Sequence, residues 1–229
     1  MAALSVMLRE TAAGRPDAPA LRAAGTTITW AELAGAVEAM AGGLHALGVG
    51  PGDRVALVLP NCPQFVISYF ATVRLGAMVV PVNPLLAPAE VVYIAGDSGA
   101  RAVIAVEPTA PLAQAAAAQC PDLQHLIVSG ESVPAGAIDF ASLMAAPPGD
   151  LPEPGADAGI AALMYTSGTT GRAKGAMLSH ANLVANAQSC ADGVRMTPDD
   201  IFLSVLPLFH SFGATVCMIT PVLVGATSV

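Results

Sequence analysis

An α/β fold with mainly parallel strands is what this sequence predicts, and three observations carry the prediction. Short, continuous apolar runs such as residues 55–59 suit strands buried on both faces. Stretches with helical period, bounded by caps, prolines and glycines, lie between those runs. The joints are short, so the strand–helix–strand units cross over and pair in parallel. A chain of 229 residues is long enough for one large or two small domains with a sizeable core.

The first clear element is a helix over 29–48. Thr29 and Glu32 form a capping box, and Ile28 and Leu33 stand where a hydrophobic staple sits. Leu33, Val37, Met40, Leu44 and Leu47 recur at helical spacing until Gly48 stops them. Residues 50–53, GPGD, make a turn. A strand follows at 55–59, then a helix opened by Pro63 and ended by Gly76, then a strand at 78–82. The alternation continues with helix 88–97, strand 102–106, helix 111–119 and strand 126–129. Residues 146–159, rich in proline and glycine, read as an exposed linker between a first α/β region, 1–145, and a second, 160–229. The second region opens on strand 160–165, passes through a loop of glycines and hydroxyls, and continues as helix 181–192, capped by Ser179, and strand 201–206.

Composition narrows the function. The chain is 54% hydrophobic and 11% charged, with a formal net charge of −8, which excludes nonspecific attraction to nucleic acid or an anionic membrane surface. Cys62, Cys120, Cys190 and Cys217 are far apart, which argues against a structural metal site and for reduced thiols in a cytoplasmic protein. The N-terminal stretch carries acid and base too early for a signal peptide. Residues 201–229 contain no Asp, Glu, Lys or Arg, so hydropathy alone flags a membrane span. Pro207, Gly213, Pro221 and Gly225 interrupt the stretch, so a buried strand, a loop and a core helix are expected there and no transmembrane segment.

The chemistry concentrates in YTSGTTGRAKG, residues 165–175, where Lys174 is the only lysine of the chain. A loop that holds polyphosphate needs close backbone approach, converging donors and a cation. Gly168 and Gly171 supply the approach. Thr166, Ser167, Thr169 and Thr170 supply hydroxyls, and consecutive amides can form an anion-binding nest. Lys174 supplies a compact positive charge. The competing reading, a solvated turn with an ordinary surface lysine, sits poorly with a position directly after a buried strand. A Walker loop does not match: aligned on Gly168 and Lys174, it finds Ala173 where the second glycine belongs and Gly175 in place of the magnesium-binding hydroxyl. His210 reads from the residues alone as a histidine packed beside the core, and His180, in the first turn of a helix, as structural.

The longer stretch YTSGTTGRAKGAMLSHANL resembles the phosphate-loop signature of the adenylate-forming superfamily, which includes acyl-CoA synthetases, aryl-CoA ligases, luciferases and peptide-synthetase adenylation domains. GDRVALVLPN, RLGAMVVPVNPLL and IAGDSGARAVI resemble blocks of the acyl-CoA synthetase branch in the same order, and LPLFHSFG is similar to the next motif. The resemblance covers most of the chain. One departure is Ala173, where the family usually has proline; the loop gains freedom and loses no donor.

The resemblance implies activation of a carboxylic acid, a fatty one by the branch resembled. The carboxylate attacks the α-phosphorus of ATP to give acyl-adenylate and pyrophosphate, and the thiol of coenzyme A then displaces AMP. It implies that Thr166, Ser167, Gly168, Thr169, Thr170 and Gly171 cradle the β- and γ-phosphates and that Lys174 offsets charge on the departing pyrophosphate. By the same resemblance Thr166 lies near Mg2+, and His210 lines the acyl pocket and approaches the carboxylate or the adenylate phosphate. Phe209, Phe212 and Met218 are expected in the core, with lining of that pocket as the alternative. The family's adenine-binding aromatic, magnesium-coordinating glutamate, ribose-binding aspartate and lid-domain lysine are not found. The chain therefore reads as the N-terminal portion of a longer enzyme, expected to be inactive alone and to self-associate as a homo-oligomer through its apolar end. Two other functions stay open: adenylation for transfer to a carrier-protein phosphopantetheine, and a noncatalytic nucleotide-binding module.

Overall fold

Two sheets organise the chain. The computed structural model describes residues 3–145, 151, 159–166 and 172–229. It opens with α1 (Leu4–Gly14), then a hairpin of β1 (Pro19–Ala23) and β2 (Thr26–Thr29), then α2 (Trp30–Ala46). The hairpin turn places Ala24 at φ 48° and Gly25 at φ 79°, left-handed at both central positions, which matches the twist of the flanking strands. The expected capping box of α2 is present: Thr29 N–H donates to Glu32 Oε2 at 2.8 Å and Glu32 N–H donates to Thr29 Oγ1 at 3.2 Å.

The alternating elements then follow in the anticipated order: β3 (Arg54–Val58), α3 (Pro63–Arg74), β4 (Met78–Pro81), α4 (Pro88–Ser98), β5 (Ala102–Val106), α5 (Ala110–Gln119) and β6 (His125–Ser129). A short β7 (Ile138–Asp139) and α6 (Phe140–Ala145) come next, and then β8 (Ile160–Thr166) and β9 (Lys174–Ser179). These strands make one seven-stranded sheet in the order β7-β6-β5-β3-β4-β8-β9. Every pair in it is parallel except β8 with β9. Because β8 lies beside β4, the sheet joins the two regions on either side of the proline-rich stretch 146–159, of which only Leu151 and Gly159 fall among the described residues.

The apolar runs read as strands buried on both faces, and they are. Val55, Leu57, Val79, Ala102 and Ile104 join one core with α2 and α3, while the alternate residues Ala56, Val58, Val80, Val103 and Ala105 join a second core with α4 and α5. Period-2 alternation thus feeds two helical layers from one strand.

The remaining elements are α7 (His180–Val194), β10 (Ile201–Phe202), and a helical segment 211–224 followed by β11 (Thr227–Ser228). That segment comprises α8 (Ser211–Gly213), a π-helical stretch Ala214–Ile219 and α9 (Thr220–Val224). β10, β11, β1 and β2 form the second sheet in that order. The first helix is held by the last elements: Thr11 Oγ1 donates to Val222 O at 2.8 Å and Arg15 Nη1 to Gly225 O at 3.2 Å.

Three expectations need correction. Strand 201–206 ends at Phe202, because Ser204 O and Leu206 O accept from the Asn61 side chain rather than from a neighbouring strand. Residues 174–179, given no element of their own between the loop and the helix capped by Ser179, form edge strand β9. Phe212, expected in the core or the acyl pocket, is 56% exposed; the segment turns Gly213, Ala214, Cys217 and Met218 inward and leaves Phe212 on the far side. All four cysteines are free, Cys120 and Cys217 buried and the other two half-buried. Among the described residues no helix is long and apolar enough to cross a membrane.

Candidate functional site

A cleft of about 720 Å³ opens beyond the carboxyl ends of β4 and β8, where Pro81, Asn83, Tyr165 and Thr166 line it. In open α/β sheets that end of the strands is where ligands bind. α4 lines it through Glu90, Tyr93 and Ile94, and so do Phe209, His210 and Ser211, at the start of the 211–224 segment. Arg172 and Ala173 close the side next to β9.

The sequence-expected residues are distributed as follows. Thr166 ends β8 and pairs directly with Lys174, the first residue of β9. Directly opposed residues of an antiparallel pair share a face of the sheet, so hydroxyl and ammonium stand on one rung. Thr166 lines the cleft, whereas Lys174 does not: it is exposed, one residue beyond the lining Ala173. Among the described residues Lys174 has no ion-pair partner. Ser167, Gly168, Thr169, Thr170 and Gly171 lie outside the described residues.

His210 lines the same cleft as Thr166, so the fold brings together residues of two separate motifs. Its Nδ1 accepts from Phe212 N–H at 3.3 Å, which assigns the proton of a neutral ring to Nε2. His180 has the structural role expected of it: it is buried, and its Nδ1 accepts from Leu4 N–H at 3.3 Å, joining α7 to α1. Met218 is in the core, and Phe209 is half-buried where it meets the cleft.

Sequence reasoning missed two sets of residues. Asn61, in the turn after β3, donates through Nδ2 to Ser204 O and Leu206 O, both at 2.9 Å, and accepts through Oδ1 from Leu208 N–H at 2.8 Å. One amide therefore holds the segment that delivers Phe209 and His210. The second set flanks the loop. Tyr165 O–H donates to Asp97 Oδ2 at 2.6 Å, Tyr93 O–H donates to Ala173 O at 3.0 Å, and the Arg172 guanidinium lies 5.8 Å from the centre of the Tyr93 ring. Burial and the bond to Asp97 push the Tyr165 phenol up, keeping it a protonated donor. The signal available in the sequence was the spacing of Tyr93 and Asp97, one helical turn apart on a helix whose buried face is Val91, Ile94, Ala95 and Ser98.

A profile of AMP-binding enzymes matches residues 8–229. Feruloyl-CoA synthase of Amycolatopsis sp is 40% identical over 212 residues, 93% of this chain and 40% of that protein. Salicyl-AMP ligase / salicyl-S-ArCP synthetase of Mycobacterium tuberculosis is 35% identical over 238 residues, 99% of this chain and 42% of that protein. Among solved structures, the anthranilate CoA ligase AuaEII in complex with anthranoyl-AMP matches with a TM-score of 0.91 at 28% identity, over 98% of this chain and 44% of that chain. The seven-stranded, mainly parallel sheet with helices on both faces is thus the fold of adenylate-forming enzymes. The chain belongs to the AMP-binding enzyme family. It spans about two fifths of the length of the curated relatives named above, 40% and 42%.

Proposed function

We propose that this chain supplies the triphosphate-binding and part of the acid-binding surface of an enzyme that activates a carboxylic acid with ATP and transfers it to coenzyme A. The observation that carries the reading is that Thr166, paired across β8 and β9 with Lys174, lines one cleft together with His210. A carboxylate is a poor electrophile, and attack on the α-phosphorus converts its oxygen into the far better leaving group AMP. Lys174 offsets charge gathering on pyrophosphate as it departs, and the Thr166 hydroxyl donates to the same anion. In this reading His210, which lines the same cleft, meets the acid's carboxylate through Nε2–H. The loop residues Ser167, Gly168, Thr169, Thr170 and Gly171 complete the cradle in this reading, which is catalysis by position and electrostatics.

Mg2+ enters this reading as a companion of the triphosphate. Among the described residues no group of three His, Cys, Asp or Glu side chains could hold an ion, and Glu90 in the cleft already accepts from Ala87 N–H at 2.9 Å. The described residues therefore do not fit a resident magnesium site; Thr166 offers one hydroxyl near the ion and no more. The acid is proposed to be apolar. A fatty acid is the expectation from the branch resembled, and an aryl acid competes because relatives are named for feruloyl-CoA and salicyl-AMP. A carrier-protein thiol is the second reading for the acceptor, favoured by the relative named as a salicyl-S-ArCP synthetase.

The test is Lys174→Ala in the whole enzyme, read by carboxylate-dependent ATP–pyrophosphate exchange. Loss of charge-assisted bonds worth about 1.5–3 kcal/mol lowers exchange about 10- to 100-fold. Exchange within twofold of the parent would remove Lys174 from the role given to it. Coenzyme A and a loaded carrier protein, offered in turn as acceptors, distinguish the two thiols.

A further inference from the structure

Among the described residues β9 is the last strand of its sheet, with β8 as its only neighbour. The end of it nearest the loop would therefore be held from one side alone. α4 supplies the other hold. Its first turn is closed by Glu90 accepting from Ala87 N–H, Gly99 ends it in the left-handed conformation at φ 60°, and its buried face packs into the second core. On this fixed element Tyr93 and Asp97 stand one turn apart and reach opposite flanks of the loop. Tyr93 O–H donates to the carbonyl of Ala173, the residue before β9, and Asp97 accepts from the hydroxyl of Tyr165, next to the last residue of β8. Arg172 lies over the Tyr93 ring at 5.8 Å, a cation–π distance that places its guanidinium beside the cleft. Gly175 faces Tyr165 across the ladder, and a Cβ there would come within 3.2 Å of two carbons of the Tyr165 ring. The bare backbone at 175 thus gives the ring room to lie across β9 and present its hydroxyl to Asp97.

We propose that Tyr93 and Asp97 are positioning residues that fix the two strand ends from which the triphosphate loop springs, so that ATP affinity depends on side chains that need not touch ATP. The proposal rests on the reading of this cleft as a triphosphate site. Its physical content is preorganisation: a donor set whose stem is already held loses less freedom when the anion arrives.

Four proteins test it: the parent, Tyr93→Phe, Asp97→Ala and Asp97→Asn. Tyr93→Phe keeps the ring under Arg172 and removes only the bond to Ala173. Asp97→Asn keeps an acceptor for Tyr165, and Asp97→Ala does not. The first readout is trypsin cleavage after Arg172 and Lys174, mapped by mass spectrometry; the second is the Kd for Mg·ATP by calorimetry. Losing one hydrogen bond corresponds to about a 3- to 10-fold change. Cleavage is expected to speed up and Kd to rise by that factor in Tyr93→Phe and Asp97→Ala, with Asp97→Asn close to the parent. If the parent binds Mg·ATP and both variants bind it as tightly, the positioning role is wrong while the triphosphate reading stands. If the parent itself binds no Mg·ATP, the triphosphate reading falls and takes the positioning role with it. Asp97→Asn as weak as Asp97→Ala would also count against the proposal, because the acceptor is what it invokes.

Discussion

Asn61 offers the sharpest test of how the His210 side of the cleft is built. Replacing it with alanine removes three hydrogen bonds at once, to Ser204 O, Leu206 O and Leu208 N. Each is worth about 0.5–1.5 kcal/mol net. Asn61 is exposed, so water re-engages the carbonyls and the total falls toward the lower bound, about 1.5–2 kcal/mol. For a chain of this size that is a fall in Tm of roughly 3–8 °C. Asn61→Asp separates shape from charge. It keeps an acceptor for Leu208 but aims a carboxylate at two carbonyl oxygens, which raises its folded pKa above the ordinary value. It is expected to be less stable than Asn61→Ala at pH 7 and to regain stability as the pH falls through that raised value and the carboxyl becomes a donor. Urea unfolding of the three proteins across the acid range measures this. Should Asn61→Asp match the parent at neutral pH, the three-bond account fails.

Two further outcomes follow from the packing and the caps. Gly213→Ala would place a Cβ well inside contact distance of the Pro207 carbonyl oxygen and 2.7 Å from its carbon; backbone opposes it, so a loss of about 1–3 kcal/mol is expected in denaturant unfolding, and a variant as stable as the parent would refute the close approach. Glu32 is held below its ordinary value of 4.5, first by the Thr29 backbone bond and then by the Thr29 hydroxyl. Its contribution is therefore complete above that ordinary value and is lost as the pH falls through the lower folded value. The difference in unfolding midpoint between the parent and Glu32→Gln should shrink on acidification, and a constant difference would contradict the capping box.

What the sequence revealed and what it hid have a common physical origin. β3, β4 and β5 were legible because burial on both faces demands an unbroken apolar run, and α2 because Thr29 and Glu32 lie three residues apart. α1 carries its own period in Leu4, Met7, Leu8 and Ala12, all buried, but the stretch is short and has no capping side chain to mark its start. β9 was opaque for a different reason: it is an edge strand whose first four residues are exposed and include a glycine, and only Leu178 packs against the core, so its pattern is barely constrained. Thr166 and Lys174 stood out by their place in a loop of glycines and hydroxyls, and His210 only by the resemblance of its motif; the fold brings Thr166 and His210 to one cleft. Asn61 could not stand out, since its partners lie up to 147 residues away and a lone asparagine has no local signature; Tyr93 had only its one-turn spacing from Asp97, which says nothing of a partner 80 residues away.

The bonds from Thr11 and Arg15 to residues 211 and 210 positions later have a bearing on how the polypeptide is made. A ribosome adding about 5–20 residues per second releases α1 roughly 10–40 s before its partners exist. During that interval the helix has Leu4, Met7 and Leu8 with only part of their eventual surroundings, and it is a natural ligand for a chaperone. The helix is therefore completed only once Val222 and Gly225 have emerged, and a nascent chain arrested shortly before Val222 should leave it open to protease.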